Sequence, residues 1–210
     1  MRSQFIVFEG PEGGGKSTQI ARLATHLTIE GHEVVVTREP GGTPVGDAIR
    51  LVLLERDDDV MLAETEAFLL SAARAQHVHD VIRPALRRGC VVLCDRYADS
   101  TRAYQGGGGG MSADDLECLQ RIATGGLTPD LRLLLDLPVE TGLARRHQDP
   151  STVNRIDRAE RAYHEQVRDA FLRLARAEPD SWTIIDASRS IDLVSDDVIR
   201  TVRAHLLDTV

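Results

Sequence analysis

Five short apolar runs, each bounded by polar or glycine-rich residues, dominate the pattern of the chain. Runs of this length and composition are typical of strands that are buried on both faces of a parallel sheet. They lie at residues 4–8, 33–37, 90–95, 131–137 and 182–186. The pattern therefore predicts five parallel strands.

The segments between the strands carry apolar residues at helical spacing. The first has the i, i+3, i+4, i+7 pattern of an amphipathic helix, formed by Ile20, Leu23, Ala24 and Leu27. Helices are predicted over about 16–30, 47–55, 63–88, 112–124, 139–147, a stretch that ends near 177, and 190–207. Pro84 should kink or split the third helix. The alternation of strands and helices predicts an α/β fold with right-handed crossovers and helices on both faces of the sheet.

Three connecting segments have distinctive compositions. The five consecutive glycines at 106–110 predict a flexible loop that carries no packing information. RDDD at 56–59 predicts a solvated acidic connection. The polar stretch 148–156 is the best candidate for a mobile lid.

The sequence GPEGGGKST, directly behind the first strand, fits the phosphate-binding pattern G-x-x-x-x-G-K-[ST]. The fixed positions are Gly10, Gly15, Lys16 and Ser17. Its glycines let successive backbone N–H groups face phosphate oxygens, and the following helix adds the positive end of its dipole. Lys16 can then reach the β- and γ-phosphates, and the Ser17 hydroxyl can bind Mg²⁺.

The third strand ends on Asp95, which is followed by Arg96. A strand-end aspartate is often a turn cap, but behind a phosphate loop it is typical of the acid that helps to hold Mg²⁺. Ligands of parallel α/β folds bind at the carboxyl edge of the sheet, where the planar guanidinium of Arg96 would suit a phosphate.

Further arginines are candidates for contacts with a second substrate. Arg38 and Arg50 flank REPGGTP and could meet its phosphate, or form surface ion pairs with Glu39 or Asp47. Leu70 and Arg74 are four residues apart and share a helical face. They could offer a platform and a hydrogen-bonding fork to a flat base, or be a core leucine beside a solvated arginine.

The composition excludes several classes of protein. The chain has 210 residues, of which 42% are hydrophobic, and a net charge of −8. An extended surface that binds nucleic acid is therefore not expected. No apolar stretch approaches membrane length, and we expect no membrane partner and a cytoplasmic location.

Cys90 and Cys94 lie on one strand and are read as small buried residues. The histidines outside the basic region near 147 show no metal or triad spacing.

Several longer stretches together resemble the bacterial thymidylate kinases. They are FEGPEGGGKST at 8–18, TREPGGTP at 37–44, AARAQH at 72–77, VVLCDRYADSTRAYQG at 91–106, LTPDLRLLLDLPVETGLAR at 127–145 and NRID at 154–157. The resemblance implies a single P-loop kinase domain over 1–210. Its fold would be the P-loop NTPase-type three-layer fold, with a five-stranded parallel sheet and a short lid at about 146–157.

The resemblance also implies an activity and the residues that serve it. The family transfers the γ-phosphate of ATP to dTMP with Mg²⁺, and its members are usually homodimers. ATP would be bound by Gly10, Pro11, Glu12, Gly13, Gly14, Gly15, Lys16, Ser17 and Thr18. Metal ligands would be Ser17 and Asp95. Residues near dTMP would be Glu12, Arg38, Glu39, Arg50, Leu70, Arg74, Arg96, Thr101, Tyr104 and Gln105.

Individual roles follow from the same resemblance. Arg96 would grip the dTMP phosphate with help from Arg50, and Glu12 would approach the sugar 3′-OH. Arg74, Thr101 and Gln105 would read the thymine edge. Tyr104 would pack against the deoxyribose and exclude a 2′-OH.

The chain departs from the family pattern at the base platform and at the lid. Leu70 stands where the family usually has Phe, and Phe68 lies too far around the helix to substitute. The lid tip QDPSTV lacks an arginine that many members carry, and the variable phosphate-loop positions are not basic. Arg155, which is predicted to open the helix after the lid, is therefore the first candidate for a catalytic lid arginine, and Arg146 is the second.

Two alternatives remain open from the sequence. One is a kinase for another nucleoside monophosphate or small molecule, which only the Leu70 change favours. The other is a P-loop switch ATPase or GTPase, although an N-K-x-D base reader and an LSGGQ-like stretch are absent.

Overall fold

The computed structural model describes residues 3–54, 61–148 and 153–208. In these ranges the predicted strands form one all-parallel sheet with the order β2-β3-β1-β4-β5. The strands are β1 Gln4–Glu9, β2 Val34–Arg38, β3 Val91–Asp95, β4 Leu131–Asp136 and β5 Trp182–Asp186. The predicted α/β class is confirmed.

Helices follow the strands as the periodicity predicts. They are α1 Lys16–Ile29, α2 Pro44–Leu54, α3 Ala63–His77, α4 Arg83–Arg87, α5 Ala98–Thr101, α6 Ala113–Thr124, α7 Val139–Arg146, α8 Arg161–Ala177 and α9 Ile191–Asp208. α2 begins at Pro44, earlier than predicted, because a proline suits the first helical turn, where its missing N–H is not needed. The Ser112 hydroxyl caps α6 by accepting from the backbone N–H of Asp115.

The sheet is covered on both faces, which gives three layers. Alternate side chains of β1 show this directly: Ile6 and Phe8 pack with α1 and α9, whereas Phe5 and Val7 pack with residues 78–85. A third cluster joins α8 to residues 103 and 104 beside β4. Because β1, β3 and β4 are buried from both sides, they read as continuous apolar runs in the sequence.

The predicted helix 63–88 is interrupted just before Pro84. The α-helical pattern ends at His77, Val78–Ile82 forms a π-helical turn, and α4 resumes with Pro84 in its first turn. The wider turn accommodates the proline, which has no N–H to donate to the preceding turn. The sequence predicts a kink or a split at Pro84, and the structure has a π-helical turn just before this residue instead of a break in the helix.

The prediction of an unpacked glycine loop at 106–110 is wrong. Arg102–Gly108 is a π-helical segment that packs against α8. A Cβ at Gly107 would lie 2.5 Å from the Cβ of Ala170, and one at Gly108 would lie 2.4 Å from the ring of Tyr163. These glycines are needed because the helix passes so close to α8.

Two predicted segments lie wholly or partly outside the described residues. They are the acidic connection 56–59 and the lid tip, of which 149–152 are not described. Beyond the lid tip, Ile156–Arg158 forms a 3₁₀ turn before α8. Among the described helices, none is long and apolar enough to cross a membrane.

Candidate active site

The site lies at the carboxyl edge of the sheet, where β1, β2 and β3 end side by side. Phe8 and Arg38 are both in register with Asp95 at this edge. A cavity of about 850 Å³ opens there. Its walls include residues 12–18 and the predicted residues Glu39, Arg50, Leu70, Arg74, Asp95, Arg96, Thr101, Tyr104, Gln105, Arg146 and Arg155.

The phosphate loop depends on glycine at two close backbone approaches. Gly10 has φ 131° and Gly13 has φ 71°. A Cβ at Gly10 would lie 2.6 Å from the carbonyl oxygen of Leu135, and one at Gly13 would lie 2.1 Å from that of Gly142. Any other residue would therefore displace the loop from β4 and α7.

Lys16 is buried beneath this loop. Its ammonium donates to the carbonyl oxygens of Gly10, at 3.0 Å, and Pro11, at 2.9 Å. Burial and the positive charge of Arg96 lower the pKa of Lys16 to about 8. The ammonium thus lies in a desolvated position in which an anion would stabilise it.

The predicted metal ligands Ser17 and Asp95 lie side by side. The Ser17 hydroxyl donates to Asp95 Oδ2 at 2.9 Å, although the two residues are 78 positions apart. A hydroxyl and a carboxylate are hard oxygen ligands, so the pair fits the chemistry of Mg²⁺.

Arg96 adopts a backbone conformation that is unusual for a residue with a side chain, with φ 71°. Its guanidinium donates to the Gly10 carbonyl at 2.9 Å and to Glu12 Oε1 at 3.1 Å. It also lies 5.0 Å from the centre of the Tyr104 ring. The strained turn after β3 thus positions a cation beside the phosphate loop.

Glu12 connects the loop to the wall formed by residues 102–108. Its Oε1 also accepts a hydrogen bond of 2.5 Å from the Tyr104 hydroxyl. His164 Nδ1 lies 3.6 Å from Oε2. Burial acts to raise the pKa of Glu12, but the His164 ring and the Arg96 charge outweigh it and lower that pKa to about 2. Glu12 is therefore a carboxylate at neutral pH.

A second carboxyl group, that of Glu9, lies fully buried at the end of β1. It accepts hydrogen bonds from the backbone N–H of Tyr97 and from the N–H and hydroxyl of Ser100. Burial and the nearby Asp99 charge raise the pKa of Glu9 to about 7. Glu9 fixes the turn that carries Arg96.

Arg74 is 1% exposed, so its interpretation as a solvated arginine is wrong. Its Nε donates to Glu39 Oε2 at 2.6 Å, and its two terminal nitrogens donate to Thr101, Gln120 and the Tyr97 carbonyl. These bonds use four of the five guanidinium N–H groups. The arginine is therefore held rigidly in the cavity wall.

Glu39 connects the residues of this buried network, because each of its carboxylate oxygens has a different partner. Its other oxygen, Oε1, lies 2.9 Å from Nδ1 of His77, whose Nε2 is 2.6 Å from the Thr37 hydroxyl. Glu39 therefore pairs with Arg74 and His77, not with Arg38.

Arg155 and Arg146, the two lid candidates, are both paired with carboxylates. The Arg155 guanidinium donates to Glu66 Oε1. Arg146 makes two bonds to Asp157, at 3.0 and 2.8 Å. Arg155 was predicted to open the helix after the lid, but it precedes the 3₁₀ turn, and α8 begins only at Arg161.

The remaining predicted residues divide between the cavity and the surface. Arg50 donates to the Pro40 carbonyl at 3.0 Å and lines the cavity. The side chain of Arg38 is 59% exposed, with a nitrogen 4.0 Å from Asp47, and it does not line the cavity. Leu70 is half-buried in the wall, whereas Phe68 is 61% exposed and lies outside it.

Comparison with known proteins agrees with this arrangement. The model of the thymidylate kinase family matches residues 8–198. The chain belongs to the thymidylate kinase family. A thymidylate kinase of Thermomicrobium roseum is 53% identical over 200 residues, which cover 95% of this chain and 94% of that protein. A thymidylate kinase of Pseudomonas putida strain GB-1 is 49% identical over 201 residues, covering 94% of each chain.

For this member of the thymidylate kinase family, sequence reasoning missed the residues whose side chains bond to the predicted residues and hold them in place. They are Glu9, Glu66, His77, Ser100, Gln120 and His164. A signal existed for Glu66, because it lies at four-residue spacing with Leu70 and Arg74 and so shares their helical face. His164 and Gln120 gave no comparable signal, since their partners are far away in the sequence.

Proposed function

We propose that the chain transfers the γ-phosphate of ATP to dTMP, giving dTDP and ADP, as a step in dTTP biosynthesis. One observation carries the proposal. A single cavity contains the phosphate loop and a separate polar wall formed by Arg74, Thr101 and Gln105. Membership of the family and the names of its relatives support the same activity.

The proposed roles follow the chemistry of each group. The loop residues 10–18 hold the ATP phosphates, with Lys16 stabilising charge that develops during transfer. Arg96 and Arg50 bind the dTMP phosphate, and Glu12 and Tyr104 contact the sugar. The acceptor phosphate already carries its attacking oxygen, so the reaction needs positioning and charge neutralisation more than a strong base.

Mg²⁺ is the proposed cofactor, held by Ser17 and Asp95. Their contact of 2.9 Å supports this proposal, because it brings two hard oxygen atoms together beside the phosphate loop. When bound there, the ion neutralises charge on the ATP phosphates.

We assign the lid arginine of the reaction to Arg155, with Arg146 as the second candidate. Of the two, Arg155 has the more exposed carboxylate partner, because the side chain of Glu66 is 9% exposed and that of Asp157 is fully buried. An arginine is released more easily from a partner that water can reach.

A turnover assay tests the proposed activity. ADP formation from ATP is measured with dTMP, dUMP or dAMP as acceptor and without acceptor. We expect fast turnover that depends on dTMP. Faster turnover with another nucleotide would assign the enzyme to that acceptor. Slow hydrolysis that is independent of any acceptor would indicate a P-loop switch protein instead.

We also propose that the chain is a homodimer. Helix α3 contacts both α2 and α6, and large apolar side chains are exposed along these helices. They are Val45, Leu51 and Val52 on α2, Phe68 on α3 and Ile122 on α6. An exposed apolar surface of this kind is typical of an interface between proteins.

Sedimentation velocity tests the dimer. Phe68→Glu should shift the protein to monomer, because it places a charge within the apolar surface. Ile29→Glu is the matched control, since Ile29 is 81% exposed on α1, on the other face of the sheet. A monomeric wild type, or equal effects of the two variants, would contradict the proposal.

The enzyme is proposed to act in the cytoplasm. All three cysteines, Cys90, Cys94 and Cys118, lie in the described part of the chain and are free. Free thiols are typical of a reducing compartment.

A further inference from the structure

The side-chain amide of Gln105 has a hydrogen-bond partner at its nitrogen but none at its oxygen among the described residues. Gln105 is 3% exposed and lines the cavity. Its Nε2 donates to Glu66 Oε2 at 2.8 Å. Its Oε1 is buried and has no hydrogen-bond partner among the described residues. A buried acceptor without a partner is costly, so this oxygen is suited to receive a donor from a ligand.

Glu66 determines which end of the amide is free. A carboxylate has only acceptor oxygens, so it must face the NH₂ group of Gln105 and not its carbonyl oxygen. The other oxygen of Glu66 accepts from Arg155, so the two oxygens have separate partners. The orientation of the Gln105 amide is therefore imposed by its partner.

Arg74 supplies the complementary donor in the same wall. Four of its N–H groups are used by hydrogen bonds within the described residues, which leaves one N–H on Nη2 that a ligand could use. Arg74 also bonds Thr101, one helical turn before Gln105. The wall thus presents a donor from Arg74 and an acceptor from Gln105.

We propose that Glu66 is a positioning residue for base specificity, which orients Gln105 so that the cavity accepts a pyrimidine with a ring N–H beside a carbonyl. Thymine has this pattern at N3–H and O4. Cytosine has the reverse pattern, with a ring-nitrogen acceptor beside an amino donor. The inference rests on the proposed function, because it takes dTMP as the acceptor that occupies this wall.

Glu66→Gln tests the role of the carboxylate. An amide at position 66 can donate as well as accept, so Gln105 is free to adopt either orientation. We expect the ratio of kcat/KM for dTMP to that for dCMP to fall about tenfold or more. Glu66→Asp keeps an acceptor-only group and should retain more of the ratio.

Two further variants separate this effect from the loss of the Arg155 pair. Arg155→Met keeps the Glu66 carboxylate, so it should lower kcat for both nucleotides and leave their ratio unchanged. In a Gln105→Leu background, Glu66→Gln should cause no additional change in the ratio.

The outcomes distinguish the inference from the proposed function. If the wild type does not phosphorylate dTMP, the proposed function fails. If it does, an unchanged ratio in Glu66→Gln, or an equal fall in Arg155→Met, overturns the role of Glu66. Should Glu66→Gln not fold, as judged by thermal unfolding, Gln105→Leu must lose the same discrimination, and a retained ratio there overturns the inference.

Discussion

Two cations in the walls of one cavity are held in different ways. Lys16, in the phosphate loop, donates to the backbone carbonyls of Gly10 and Pro11, and has no carboxylate partner among the described residues. Arg74, in the polar wall, is paired with the buried carboxylate of Glu39. One cation is bonded to neutral groups and the other is neutralised within the protein.

The difference suits two tasks. Neutral carbonyls can give up Lys16 to an anionic phosphate without leaving a buried charge unpaired. Arg74 cannot leave Glu39 at similar cost, so it stays fixed and offers only its remaining N–H group. Lys16, for which we propose the neutralisation of phosphate charge, is thus kept unpaired, and Arg74, for which we propose the recognition of a neutral base, is kept paired.

The largest expected effect comes from removing the unpaired cation. Lys16→Ala should lower kcat by about 10²–10³-fold, because it removes charge stabilisation in the transition state. Steady-state kinetics with ATP and dTMP measure the effect, and circular dichroism controls for folding. A variant with near-wild-type kcat would show that the phosphate-loop assignment is wrong.

The same contrast explains what the sequence could predict. The sheet, the helices and the phosphate-loop residues follow from local patterns, because one contiguous motif contains Gly10, Lys16 and Ser17. The pairing of Glu39 with Arg74 joins residues 35 positions apart, and composition and periodicity carry no signal for such a pair. Family resemblance supplied Arg74 as a base reader, but not the buried partners that hold it.

The glycine run shows a different limit. Five glycines in sequence favour a loop by local propensity, and this prediction was wrong because tertiary packing decides the outcome. The approach of residues 107 and 108 to α8 leaves no room for a Cβ. A single sequence does not distinguish glycines chosen for flexibility from glycines chosen for close packing.

Breaking the buried ion pair between Glu39 and Arg74 should reduce the free energy of unfolding more than breaking an exposed ion pair. Glu39→Gln leaves the buried guanidinium of Arg74 without its carboxylate, so we expect the free energy of unfolding to fall by about 3 kcal/mol. Urea denaturation measures it. The matched control is Asp192→Asn, whose pair with Arg22 is exposed and should cost under about 1 kcal/mol. An equal loss of unfolding free energy in the two variants would show that the buried pair is no more important for stability than the exposed one.

The pKa of Lys16 predicts a pH effect on ATP use. Burial and the Arg96 charge lower this pKa to about 8, so the free enzyme loses the lysine proton as the pH rises through about 8. The kcat/KM for ATP should then fall on the alkaline side, by about tenfold per pH unit. Lys16 is the single lysine of the sequence, so its titration can be followed by NMR of one labelled side chain. A lysine midpoint above 10 would contradict the prediction.

The smallest expected effect concerns Leu70, which lies in the cavity wall near Arg74. Leu70 is half-buried in the cavity wall, four residues from Arg74, at the position where the family usually has Phe. Leu70→Phe should lower the KM for dTMP by at most about tenfold, because ring stacking contributes about 0.5–1.5 kcal/mol beyond area burial. Leu70→Met is the matched control, since it has similar volume and no ring, and its KM should stay near the wild-type value. A raised KM together with a lower melting temperature in Leu70→Phe would mean that the position is packed too tightly for a ring. In that case, base recognition would depend on the fixed polar groups of Arg74 and Gln105 without a stacking platform at position 70.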